Sequence, residues 1–342
     1  MQNNQECDHL SYFLRHTPLA NFLHTSDLLR LLGICRQIHD IRLTDCNLRV
    51  LDISGFTGRH LSDFGRRSAK TDALLLPATL EKLVCKGCAN LTAIDIILPD
   101  TLQHLELANC DSLEYIRTPL PSALRVFKCI DCEDLRDHPN PLPDGLLIYE
   151  LQSHACIEID RLPEPLPSAL VELTCTGLSG EGQIVNLPST WPTNLRVLNL
   201  SYTSLWDELI NLPVSLESLN LCMCDCMPQL PSNLRELTNL RILDLTGCDE
   251  IKHICDDVLP ENLEHLICNE MYQLVSFPRR LPASLHTFES VTCPVLNKYP
   301  EELPQTLRFF VFSDDTQQPI PQPPLALPPF PDGTTVIDRK RP

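Results

Sequence analysis

Apolar residues recur along this chain in the pattern L-x-x-L-x-L, at intervals of 21 to 25 residues. Within x-L-x-L-x the apolar positions alternate with polar ones, so each copy predicts a short strand with one buried face and one wet face. Such a strand cannot bury its apolar side alone, and copies must therefore stack into a parallel sheet. The eleven copies begin at Leu80, Leu102, Leu124, Leu146, Leu170, Leu195, Leu216, Leu240, Leu263, Leu285 and Leu307.

A Leu-Pro dipeptide lies four residues before many of these copies, first at Leu76 and then at Leu98, Leu120 and Leu142. Proline lacks a backbone donor and disfavours helix in the residue before it. A unit of about 22 residues also leaves little length beyond the strand. We therefore expect the segments between strands to be extended rather than helical.

The pattern L-x-x-L-x-L-x-x-(N/C)-x-L resembles that of the leucine-rich-repeat family, and the resemblance covers residues 76 to about 315. The LPxxLxxLxL phrasing is similar to the short repeats of secreted bacterial effectors, whereas LRELTNLRILDLTGCDEIKHI resembles repeats of plant immune receptors. The implied fold is an α/β repeat, a leucine-rich-repeat solenoid (horseshoe) with a parallel concave sheet, a helix-poor convex side and an N-terminal helical cap. Members of the family bind proteins on the concave sheet.

The cysteines follow the repeat. Six fall at the (N/C) position, three residues after the last strand position, where a thiol is a small, weak donor under the turn: Cys88, Cys110, Cys132, Cys224, Cys248 and Cys293. Four occupy the last strand position and should face the core: Cys85, Cys129, Cys175 and Cys268. Exposed reactivity is a secondary interpretation for Cys222, in the dense cluster Cys222, Cys224 and Cys226.

Two C-x-x-C pairs, Cys85 with Cys88 and Cys129 with Cys132, superficially suggest zinc. Two repeats separate them, which at about 4.8 Å per strand places the pairs near 10 Å apart. Sulfur ligands lie only about 2.3 Å from zinc, so we expect no metal. Phosphate-binding glycine loops, H-E-x-x-H and G-x-S-x-G are missing from the sequence, and we expect neither an enzyme nor a cofactor.

The chain of 342 residues carries 45 acidic and 27 basic residues, a formal charge of -18, which disfavours nucleic acid as a partner. No apolar run approaches the roughly 20 residues that cross a bilayer, and the start MQNNQECDHL has no signal-peptide pattern. The 17 cysteines, an odd number, favour free thiols. The expected location is a reducing cytoplasm or, for a bacterial effector, the host cytosol, without membrane insertion.

The outward strand positions form the expected protein-binding face. Exposed apolar residues anchor a partner there, carboxylates select basic groups, and Val84 and Val311 are expected to be exposed at its two ends. A solvated sheet without a dominant contact is the alternative. The predicted contact residues are Glu106, Lys128, Glu150, Glu172, Asn199, Asn220, Asp244, Ile267, Glu289 and Phe309.

Residues 1–45 differ from the repeats. Ser26 is a good helix N-cap, and apolar residues follow it at helical spacing. The segment resembles the second half of an F-box, which would bind the adaptor subunit of an SCF-type ubiquitin ligase. The first half departs from that motif, because the opening Leu-Pro is missing and Pro18 interrupts the helix. A helical cap over the first repeat is the alternative. The residues that carry the likeness are Phe22, Leu23, Asp27, Leu28, Leu29, Leu31, Cys35 and Arg36.

The remaining segments flank the array. Residues 46–75 are predicted to hold a first strand and a basic insertion that includes Arg59 and His60, and residues 76–315 hold the repeats. Residues 316–342 form a proline-rich cap or tail, which we interpret as a degenerate closing repeat with a strand at Val336 and Ile337. The sequence thus predicts a non-catalytic protein-binding module. It is either a substrate receptor of an SCF ligase or an effector scaffold that acts by binding alone.

Overall fold

The structure, a computed structural model, describes residues 49–61, 76–153, 159, 161–177, 187–205, 209, 211–224, 226–227, 229–313 and 327–339. The predicted N-terminal helices, the F-box-like residues 22–36 and most of the basic insertion lie outside this part of the chain. Contacts divide the chain into two compact units, unit 1 (Met1–Ile159) and unit 2 (Asp160–Pro342), and each is described by itself.

Unit 1 contains one parallel sheet with strand order β1-β2-β4-β6-β7 and, beside it, a two-stranded parallel pair β3-β5. The strand at Leu51 lies within residues 46–75, where a first strand is predicted, and it follows a related pattern, L-x-x-L-x-I, from Leu48. The strands are β1 (Val50–Asp52), β2 (Lys82–Lys86), β3 (Ala93–Ile94), β4 (His104–Ala108), β5 (Tyr115–Ile116), β6 (Val126–Ile130) and β7 (Ile148–Gln152).

Unit 2 continues the same design with a parallel sheet in the order β8 to β15. The last strand contains Val336 and Ile337, as the closing-repeat interpretation predicts. The strands are β8 (Glu172–Thr176), β9 (Val197–Asn199), β10 (Ser218–Asn220), β11 (Ile242–Asp244), β12 (His265–Ile267), β13 (Thr287–Ser290), β14 (Phe309–Phe312) and β15 (Thr335–Asp338).

The second leucine of each predicted copy forms the core of the coil. In unit 2 these residues pair in register across the sheet, and from Leu173 to Phe310 each is fully buried. All eleven predicted copies form strands, so the parallel-strand solenoid of stacked coils is confirmed. The core residues at this position are Leu83, Leu105, Phe127, Tyr149, Leu173, Leu198, Leu219, Leu243, Leu266, Phe288 and Phe310.

A turn leads into each strand, and it explains the recurrent proline. The carbonyl of Pro99 accepts a hydrogen bond from the amide of Leu102 at 3.0 Å, and Pro282 and Leu285 repeat the contact at 3.1 Å. The hydroxyl of Thr101, inside the turn, donates to the carbonyls of Ala78 at 2.9 Å and Leu80 at 2.8 Å on the preceding coil. The turn therefore joins successive coils as well as reversing the chain.

A second turn follows most of the strands, and there the residue four positions after the buried core position adopts positive φ. Gly87 has φ 62° and Gly247 has φ 69°, but Thr292 occupies the same position with φ 57°. The next residue is the predicted donor under the turn: the thiol of Cys248 donates to the carbonyl of Leu221, 3.1 Å away on the preceding coil. The expected role of these cysteines is confirmed.

The segments between strands that the structure describes are helix-poor, as expected from the prolines. A 3-10 helix of three residues, Leu234–Glu236, precedes β11, and isolated bridges such as His253 to Ser276 align other outer segments. Nowhere in the described part of the chain is there a helix long and apolar enough to cross a membrane.

Candidate functional site

The residues that flank the buried core position on each strand point away from the core. We call this side of the sheet the strand face. All ten predicted contact residues lie on it, three in unit 1 and seven in unit 2, and each is half-buried or exposed. Ile242 and Phe309 are the most open large apolar residues on the strand face of β8–β14, at 40% and 48% exposure. The sequence period of two was enough to identify this surface.

The prediction that Val84 and Val311 are exposed is wrong, because both side chains are buried. Val84 lies between Lys82 and Lys86 on β2, and both lysines extend to Glu106 on the neighbouring strand, at 3.6 and 2.7 Å. Long side chains on either side thus enclose a short one. The apolar residues that the structure exposes near the ends of the array instead include Val50 and Phe309.

Glu106 is the centre of a charge cluster in unit 1. Besides the two lysines, the imidazole of His104 lies 3.3 Å from its carboxylate. Burial raises the pKa of Glu106, but hydrogen bonds from Lys86 and His104 outweigh it, so the pKa lies below its usual value. Burial and the charge of Lys82 lower the pKa of His104. The carboxylate is therefore ionised and neutralised by its own neighbours.

Lys128 and Glu150 form a second internal pair in unit 1, between β6 and β7. The amide of Gln152 also donates to the Glu150 carboxylate at 2.6 Å. Every carboxylate among the predicted contacts of unit 1 thus already has a basic partner on an adjacent strand.

In unit 2, three of the polar predicted contact residues form hydrogen bonds with the backbone at the end of their own strand. The side-chain oxygens of Asn199, Asn220 and Asp244 accept the backbone amide two residues ahead, at 3.0, 2.9 and 2.9 Å. This is the local turn that Asn and Asp favour. Asp244 keeps its second carboxylate oxygen for a partner, whereas Asn199 and Asn220 keep their side-chain NH2 groups as donors.

Cys222 lies on the strand face and is half-buried. Burial raises the pKa of its thiol to about 11, and the nearby charges of Asp244 and Glu270 act in the same direction. A thiol that is protonated at neutral pH is a poor nucleophile. The interpretation of Cys222 as a reactive site is therefore not favoured.

The two C-x-x-C pairs lie on strands separated by β4, which places Leu107 between Cys85 and Cys129. Within the described ranges, no group of three or more His, Cys, Asp or Glu side chains could hold a metal ion. Cys85 and Cys129 are fully buried, as their strand position predicts.

A groove of about 580 Å³ lies between two successive outer segments of unit 2. Its lining includes the exposed thiol of Cys255, together with Asp257, Glu261 and Arg280. Arg280 forms an ion pair with Glu302 at 3.6 Å. This groove was not predictable from the sequence, because its lining residues lie in loops that do not follow the alternation of apolar and polar positions.

Comparisons with known proteins agree with this architecture. The leucine-rich effector protein YopM from Yersinia pestis superposes with a TM-score of 0.51 at 22% identity, covering 98% of this chain and 99% of that one. YopM from Yersinia enterocolitica WA-314 gives a TM-score of 0.47 at 23% identity, covering 78% of this chain and 66% of that one. The first likeness establishes the leucine-rich-repeat fold.

At the sequence level, the disease resistance protein RRS1 of Arabidopsis thaliana is 32% identical over 173 residues, which is 49% of this chain. That match spans 12% of the plant protein, so this chain corresponds to a small part of it. No protein-family model matches the chain.

Proposed function

We propose that this chain is a non-catalytic protein-binding module whose strand face is the binding surface. The observation that carries the proposal is the alignment of outward side chains in register on successive parallel strands, with Ile242 and Phe309 exposed among polar neighbours. Apolar anchors within a polar surround are typical of protein interfaces. One solved fold neighbour, YopM from Yersinia pestis, is an effector protein, which supports an effector that binds in the host cytosol.

The test uses the intact chain as bait in eukaryotic lysate, with captured proteins quantified by mass spectrometry. The double variant Ile242→Ser/Phe309→Ser removes both anchors from the strand face. The matched control, Val214→Ser/Tyr272→Ser, removes two side chains that are 57% and 47% exposed but lie outside the strands. We expect the first variant to lose the captured partner and the control to retain it. Equal capture by both variants contradicts the proposal.

We further propose that residues 9–40 connect this module to an SCF-type ubiquitin ligase. The support is the F-box-like run that includes Asp27, Leu28, Leu29, Cys35 and Arg36. A receptor would then hold its substrate on the strand face and the adaptor on its N-terminal segment. In the alternative, the segment caps the solenoid and the protein acts by binding alone.

Purified SCF adaptor distinguishes these two proposals. We expect the intact chain to bind it, a chain lacking residues 1–45 to lose it, and Ile242→Ser/Phe309→Ser to bind it normally. If the intact chain does not bind the adaptor, the receptor role is rejected and the binding-only effector remains.

A further inference from the structure

The two strand faces differ in how their charges are balanced. In unit 1, Glu106 lies 2.7 Å from Lys86, and Glu150 pairs with Lys128. These carboxylates are neutralised by residues of the same sheet. A ligand with basic groups would have to compete with those lysines.

The described strands of unit 2 provide no such compensation, because none of β8–β15 contains a lysine or an arginine. Its strand face nevertheless carries Glu172, Asp244 and Glu289. Asp244 accepts the Thr246 amide and Glu289 accepts the Asn269 side chain, but within the described chain none of the three carboxylates has a salt bridge.

Three arginines adjoin the strand starts of unit 2, at Arg196, Arg241 and Arg308, and within the described chain none of them forms a salt bridge with a carboxylate of the strand face. Arg196 lies 3.3 Å from Glu217, and Arg241 lies 3.3 Å from Glu264. Both arginines are thus already paired beside the face.

Apolar side chains accompany the carboxylates. Ile242 is two residues from Asp244 on β11, and Phe309 lies on the strand next to Glu289. Exposed apolar groups of this size favour a partner that covers them. Fixed negative charges beside them favour partners with basic groups and raise their association rate.

From this asymmetry we infer that the strand face of unit 2 binds a protein segment in which lysine or arginine alternates with large apolar side chains. This inference rests on the proposed function, and it specifies which part of the sheet binds and the chemistry of the partner. The arginine or lysine groups meet Glu172, Asp244 and Glu289, and the apolar side chains cover Ile242 and Phe309.

The probe is a library of random 12-residue peptides displayed on phage, selected against the intact chain. The enriched consensus is synthesised and its affinity is measured by fluorescence anisotropy. The test variant is Glu172→Gln/Asp244→Asn/Glu289→Gln. Asparagine at 244 preserves the acceptor for the Thr246 amide, as Asn199 and Asn220 do in their own strands.

The control Asp249→Asn/Glu250→Gln/Glu261→Gln removes the same charge from unit 2 outside the strands. We expect a basic and apolar consensus that binds the test variant about tenfold more weakly, since an exposed pair contributes about 1.4- to 5-fold. The control should change affinity less than twofold. Raising the salt from 0.1 to 1 M should weaken binding, because the screening length falls from about 10 to about 3 Å.

Three results overturn the inference: no enriched peptide, a consensus without basic residues, or equal binding by the two triple variants. The double variant Ile242→Ser/Phe309→Ser shows which proposal fails. If an uncharged consensus depends on these anchors, the strand face binds proteins but the basic partner is wrong. If neither the double variant nor the triple test variant changes the affinity for the selected peptide, the proposed binding surface is wrong as well.

Discussion

The hydroxyl of Thr203 donates a hydrogen bond to the main-chain carbonyl of Cys175, 3.2 Å away on the preceding coil. Both groups are buried. In other coils a cysteine occupies the place of Thr203, as Cys248 does beneath the carbonyl of Leu221. Threonine and cysteine at this position therefore have the same role. Each donates a hydrogen bond to a buried carbonyl that the sheet leaves unpaired.

Thr203→Val removes the hydroxyl while it preserves the shape of the side chain. We expect the free energy of unfolding to fall by about 1–3 kcal/mol, because the buried carbonyl loses its donor. Urea unfolding followed by circular dichroism measures the change. Thr203→Cys is the matched control and should cost under half as much. A valine variant as stable as the cysteine variant contradicts the donor role.

Gly87 tests the positive-φ turn at the strand end. Its φ is 62°, and a Cβ placed there would meet no atom within 4 Å, so any penalty comes from the backbone alone. Gly87→Ala should lower stability by about 1–2 kcal/mol, and Gly87→Asn by less, since asparagine tolerates this conformation. Thermal and urea unfolding of both variants provide the comparison. Equal losses for the two would mean that the left-handed conformation is not the cause.

Phe288 joins an aromatic stack in the last coils of unit 2. Its ring centroid lies 4.9 Å from that of Phe277 and 5.2 Å from that of Phe310. Phe288→Ala should destabilise the chain by about 3–5 kcal/mol through the cavity it leaves. Phe288→Leu should cost about 1 kcal/mol, since leucine fills the equivalent position in most coils. Urea unfolding midpoints that do not separate the two variants would argue against a tightly packed stack.

The thiol of Cys222 provides a pH-dependent test. With its pKa raised to about 11, iodoacetamide labelling of the folded protein should accelerate about tenfold per pH unit between pH 7 and 10. Asp244→Asn removes a negative charge that opposes the thiolate, so it should lower the pKa and speed labelling at pH 8. Peptide mapping follows Cys222, with the exposed Cys255 as the internal reference. Slower labelling of the Asp244→Asn variant would contradict this prediction, because it would mean that Asp244 does not raise the pKa of the Cys222 thiol.

Much of the fold was predictable from the sequence, because the core positions of a repeat architecture recur at a regular spacing along the chain. The alternation around Leu105 identified a strand and its buried side, and the three-residue offset to Cys110 identified a donor that the structure places 3.4 Å from the Cys85 carbonyl. Leu-Pro spacing predicted the helix-poor outer segments. Each of these features depends on contacts within one coil or between adjacent coils.

The chemistry of the strand face was only partly predictable. A period of two shows which side chains point outward, but it does not show which neighbour meets Glu106 across the strands. It also could not show that Val84 is enclosed by two lysines, or that Thr101 would bond to the coil before it. These contacts depend on cross-strand register and on side-chain length.

The sequence by itself therefore determined the repeat, the strands, the core positions and the outward positions, since all are set by local alternation of apolar and polar residues. Only the tertiary structure decided the charge of the strand face. Register places a lysine beside each contact carboxylate of unit 1, whereas β8–β15 bring none to Glu172, Asp244 and Glu289. The physical reason is that electrostatic balance depends on distances of a few ångströms between residues about 20 positions apart.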